Sequence, residues 1–119
     1  MADVSIQQNR AAVGHPKILL DRGLLRLQAN LLRADCNAFE QACIELQRSD
    51  EKTVTVDLTR CTYLSSLFVG CLVDALTQMK ADGKDVKVFV SPEIGHFLHM
   101  AHLYHLFTYQ IVAPPLEGS

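Results

Sequence analysis

The chain has 119 residues, of which 49% are apolar and 20% charged, and a formal net charge of −2. That balance is enough for a single core and argues against a disordered chain. No run of Lys or Arg stands out, which argues against a nucleic-acid or anionic-membrane surface.

Residues 1–16 are polar and unpatterned, and a flexible arm is expected there. Two short strands are predicted at 17–21 (KILLD) and 24–29 (LLRLQA), joined by the turn signal Asp21-Arg22-Gly23. In the second, Leu25, Leu27 and Ala29 face one side, and Arg26 and Gln28 face the other. Asp35 is the predicted N-cap of a helix over about 36–48. Its buried stripe is Phe39, Ala42, Cys43 and Leu46, which leaves Ile44 outside and partly exposed.

Residues 49–52 form a loop, and the β-branched run at 53–58 (TVTVDL) predicts a central strand. From 67 to 81 Phe68, Leu72, Ala75 and Met79 align as a core stripe with Leu76 beside them. Leu67, Gly70, Asp74 and Thr77 are turned outward. Gly83 ends this helix in the C′ role. A strand follows at 85–90, then Ser91-Pro92-Glu93, a cap followed by proline and a first-turn acid. Ile94, Phe97, Leu98 and Ala101 form the buried side of the helix so begun. A last strand is predicted around 107–112, closed by Pro114-Pro115 and a polar tail over 113–119. The order β-β-α-β-α-β-α-β predicts one α/β domain over 17–112. Its mixed sheet has about four to five strands with helices packed on it, and right-handed crossovers make part of it parallel.

The longest apolar run, about 67–73, falls far short of the roughly 20 residues that cross a bilayer. The N-terminus MADVSIQQNRAAVGHPK lacks the apolar centre of a secretory signal. A cytoplasmic protein without membrane insertion is expected. Cys36, Cys43, Cys61 and Cys71 contain no C-x-x-C pair. On the first helix Cys36 and Cys43 are two turns apart, roughly 10 Å at 1.5 Å per residue, beyond disulfide reach. All four read as core or surface thiols in a reducing compartment.

Two adjacent hydroxyls, Ser65 and Ser66, stand where the central strand gives way to the second helix. Either serves as an N-cap, worth about 1 kcal/mol. Ser66 also reads as a phosphorylation site, because a phosphate there meets the positive end of the helix dipole and free N–H groups. Gly70 costs the helix about 1 kcal/mol relative to Ala, which is explained if another surface approaches closely.

The run VTVDLTRCTYLSSLFVGCLVDAL, followed by KADGKDVKVFV and SPEIGHFLHMAHLYHLF, resembles the STAS domain, a family that includes the bacterial anti-sigma factor antagonists. The resemblance spans about 17–112. Leu64 takes the apolar place of the family motif, Ser65 the place of its Asp, and Ser66 the phosphoacceptor place. Phe68 stands where many members have Gly, Gly70 matches the second family glycine, and His102 takes a place often held by Gly. The resemblance implies a regulatory module that binds a kinase-like anti-sigma factor through Ser65, Ser66, Leu67, Gly70 and Asp74, with phosphorylation of Ser66 weakening the complex. It equally implies an alternative, a subunit docked permanently on a larger assembly such as an ABC transport ATPase and not phosphorylated. Small-ligand sensing is a third option, for which the sequence offers no pocket signature.

His96, His99, His102 and His105 recur every three residues, so they fan around a helix instead of converging on a metal. They read as a solvated face. Asp57 reads as a strand-end polar residue able to receive a loop hydrogen bond. No nucleophile elbow, P-loop or Cys/His pair is present. No catalytic residue, cofactor or metal is expected, and the protein is read as a binding module instead of an enzyme.

Overall fold

The computed structural model describes residues 15–113. Most of the expected arm and nearly all of the expected tail, Pro114-Pro115 included, lie outside the described residues. Five strands form one sheet in the order β1-β2-β3-β4-β5. They are β1 (Ile18–Asp21), β2 (Leu24–Leu31), β3 (Thr53–Leu64), β4 (Asp85–Val90) and β5 (Gln110–Ile111). β1 pairs antiparallel with β2, and the other three pairings are parallel. Between the parallel strands run α1 (Cys36–Arg48), α2 (Ser66–Ala81) and α3 (Pro92–Met100). This is the mixed α/β sheet that the element order implies.

One side of the sheet is sealed. Val54, Val56 and Leu58 of β3, Leu25 and Leu27 of β2, and Val88 and Val90 of β4 are buried. They meet Phe39 and Leu46 of α1 and Phe68, Leu72 and Met79 of α2 in a single core. The Phe39 and Phe68 rings pack with centroids 5.0 Å apart. As the wheel predicts, Ile44 is exposed. On the other side of the sheet Arg26 faces Asp57 in register. The Asp57 carboxylate accepts from the Thr59 N–H at 2.9 Å, the Thr59 hydroxyl at 2.6 Å and Arg26 Nε at 3.4 Å. Burial pushes this carboxyl up, but the Thr59 donors and the Arg26 guanidinium outweigh it and hold it below its usual value.

Several expectations need correcting. β3 does not end at Leu58, so Asp57 is a mid-strand residue. The strand continues to Leu64 through two register shifts against β2. Each shift adds a residue on β3, so the buried positions step from Leu58 to Cys61 to Leu64, every third residue instead of every second. β2 likewise runs on to Leu31, and Ala29, at φ 63°, is exposed instead of facing the core. In α3 Gly95 is buried, whereas Ala101, expected on its buried side, follows the helix end and is exposed. β5 is only two residues long, held by the Val112 N–H to the Val90 carbonyl at 2.8 Å.

Asp35 does not cap α1 with its side chain. It is buried, and its carboxylate turns back to accept the Leu32 N–H at 2.8 Å and Lys17 Nζ at 3.0 Å. His15 lies 3.6 Å from its other oxygen. Burial pushes the Asp35 carboxyl up, and these donors pull it below the usual range. α2 ends as expected on Gly83, at φ 87°, with the Lys84 N–H on the Met79 carbonyl at 3.1 Å. α3 uses the same ending with His102 at φ 59° and the Leu103 N–H on the Leu98 carbonyl at 2.8 Å.

Candidate functional site

The bulged end of β3 delivers Leu64 into the core and Ser65 to the start of α2. The Ser65 N–H donates to the Leu31 carbonyl at 2.9 Å, which anchors the junction to the end of β2. Ser65 has extended backbone, and its hydroxyl accepts the Phe68 N–H at 3.1 Å. Its carbonyl accepts the Val69 N–H at 3.0 Å. Ser65 is therefore the cap. That frees Ser66, the first helical residue, which is exposed and whose side chain makes no hydrogen bond among the described residues.

Ser66, Gly70 and Asp74 repeat at four-residue spacing, so they lie in one row along α2. All three are exposed. Leu67 flanks the row with 57% of its surface open. A Cβ built on Gly70 meets nothing within 4 Å, so no internal contact requires this glycine. Beside the row a groove of about 220 Å³ separates α1 from α2, with Glu40, Ile44, Cys71 and Asp74 among its walls. No acid occupies the first turn of α2, so the helix dipole ends there on uncompensated N–H groups.

Two neighbours were not foreseen in the sequence. Tyr63, two residues before the cap, is 49% exposed, and its ring lies 6.4 Å from that of Phe97 on α3. Leu32 follows the residue that holds the Ser65 N–H and is 37% exposed. Both leave apolar surface exposed near the strand ends that meet at this junction. Neither carries a local signal, because the strand periodicity that would have located Tyr63 breaks at the bulges.

The rest of the molecule offers little chemistry. Burial pushes the Cys43 and Cys61 thiols up to about 12, which makes them inert core residues. His96, His99, His102 and His105 are exposed. Among the described residues no three His, Cys, Asp or Glu side chains come together as a metal site. A concavity of about 640 Å³, lined in part by Lys80, His99, Tyr104 and His105, lies toward the far end of α2 from Ser66. Among the described residues no helix is long and apolar enough to cross a membrane.

Comparison with known proteins agrees with the fold. The family model described as "Mlab, STAS domain" matches residues 16–112. No match was found among curated proteins. STAS domains are generally non-enzymatic and act through protein–protein interaction. The match takes in every strand, every helix and the whole Ser65–Asp74 face, and the chain belongs to the STAS domain family.

Proposed function

We propose that this protein is a regulatory binding module of the anti-sigma factor antagonist type. It docks a protein partner through the start of α2, and phosphorylation of Ser66 weakens that docking. One observation carries the reading. Ser65 performs the capping, so the exposed Ser66 hydroxyl has no structural task, and it begins a row that includes a glycine facing open space. An unbranched Gly70 lets a partner's backbone or side chain come close, with Leu67 as the apolar anchor. A phosphate on Ser66 brings about −1.5 to −2 charges beside the exposed apolar Leu67. The positive end of the α2 dipole stabilises that phosphate. The partner then loses its dry contact.

The partner is identified by pull-down with the full chain and with Leu67→Glu in parallel. A protein retained by the parent and lost with the exposed-site variant is the expected result. Ser66→Asp is then expected to bind that protein at least about tenfold more weakly, near 1.4 kcal/mol. Equal binding by the two removes the switch.

A second reading is favoured by the 57% exposure of Leu67 and by Ser65 in the place of the family's Asp. In it the same face holds the protein permanently on a larger assembly such as an ABC transport ATPase, and Ser66 is never phosphorylated. Incubation with the source's serine kinases and ATP, read by intact mass, separates the two. The switch requires one phosphoryl group that Ser66→Ala abolishes.

A further inference from the structure

The seam between α1 and α2, next to this face, contains two thiols. Cys36 is the first residue of α1 and Cys71 belongs to the second turn of α2, and neither is sealed in the core. Cys36 Sγ lies 4.0 Å from the Leu67 carbonyl oxygen. In the helical ladder that carbonyl accepts the Cys71 N–H. Side chains on a helix lean toward its N-terminus, so the Cys71 thiol covers the turn that contains Leu67. Both thiols therefore lie over the turn of α2 that contains Leu67. Cys43 and Cys61 differ in being buried, and the Cys61 thiol donates instead to the Leu27 carbonyl at 3.3 Å.

We propose that Cys36 and Cys71 are an oxidisable dithiol, closed to an intramolecular disulfide by a small-molecule disulfide such as oxidised glutathione. Cys71 gives up its proton to solvent, and its thiolate attacks one sulfur of the external disulfide. One external thiolate leaves, and a mixed disulfide remains on Cys71. The Cys36 sulfur, losing its own proton, then attacks the Cys71 sulfur and expels the second external thiol. Two protein thiols are oxidised and one external disulfide is reduced to two thiols, so the exchange balances. Cys36 takes the second role because burial, then the adjacent Cys71 and the Glu40 and Asp35 carboxylates, push its thiol up to about 12. The crosslink pins the first turns of α2 to the start of α1. Its effect on docking rests on the reading given above, whereas its formation does not.

The test uses the full chain, reduced and then incubated with oxidised glutathione at mildly alkaline pH. Remaining thiols are alkylated and the digest is mapped without reduction. Two of the four thiols are expected to disappear, with the Cys36 and Cys71 peptides joined in a monomeric product. Cys36→Ser and Cys71→Ser are each expected to abolish the link. The Gly70 amide resonance of the parent is expected to move on oxidation and return on reduction. Four titratable thiols after treatment, a product that stops at the mixed disulfide, a link to Cys43 or Cys61, or a link between two chains overturns the proposal. The mapping needs no docking partner, so a failed crosslink and a failed docking reading are told apart.

Discussion

Two helices of this molecule start on a serine, and up to the cap they are nearly superposable in kind. Ser65 has φ −72° and ψ 154°, Ser91 has φ −73° and ψ 162°, and each hydroxyl accepts an N–H three residues on at 3.1 Å. Beyond the cap they diverge. α3 continues with Pro92, which has no N–H to satisfy, and with Glu93, which answers the dipole. Its cap is 3% exposed. Its glycine is packed against, because a Cβ on Gly95 would sit 2.8 Å from Ile111 Cδ1 and that side chain would have to move aside. α2 continues with an idle hydroxyl, an exposed leucine and a glycine that touches nothing. Every residue at the start of α3 is explained by the fold. The same positions of α2 carry features that the fold does not use, which is the pattern of a surface kept for something outside the chain.

The contrast is broken or sharpened by substitution. The largest effect is expected from Gly95→Val, which forces Ile111 aside and costs about 2 kcal/mol. Urea denaturation measures it, and a variant as stable as the parent would remove the packing account of α3. Next, Ser91→Ala leaves the buried Ile94 N–H unpaired and costs between about 1 and 2 kcal/mol, whereas Ser65→Ala costs about 1. A larger loss at Ser65 reverses the ranking of the two starts. Gly70→Ala is expected to gain about 1 kcal/mol from helix propensity alone while weakening capture of the partner. A loss of stability there would reveal an internal role for the glycine.

Acid supplies a reference that touches neither start. Asp35 and Asp57 are held below the ordinary carboxylate value of 3.8, so their stabilisation is complete above that value. It is lost as pH falls through the lower folded values. Stability is expected to drop as pH falls below about 4, and Asp57→Asn flattens the share of Asp57. The smallest effect is at Ser66. Ser66→Asp adds the charge that Glu93 already supplies to α3 and gains about 0.5 kcal/mol at low salt, fading as salt is added. Ser66→Ala stays within about 0.5 kcal/mol of the parent. Thermal denaturation across salt concentrations distinguishes the two.

The exposed row on α2 was legible in the sequence because a helix has a fixed period. Once Phe68, Leu72, Ala75 and Met79 are inward, Ser66, Gly70 and Asp74 must face out. The same logic found the cap before α3, because Ser-Pro-Glu names its own positions. It failed at residues 59–64, where the buried spacing of three imitates neither a strand nor a helix. It also failed at Asp35, where the right residue for a cap was drawn to Lys17, a partner distant in sequence.

The chain alone determined what depends on neighbours a few residues away: the three helices, the inward stripes of α1 and α2, the glycine ending of α2 and the alternation of core β3. Tertiary structure decided which of two adjacent serines is the cap. That choice depends on where β3 stops, and β3 stops where its bulged register against β2 brings the Ser65 N–H to the Leu31 carbonyl. Such a contact joins residues far apart in sequence, and no local pattern of residues encodes it.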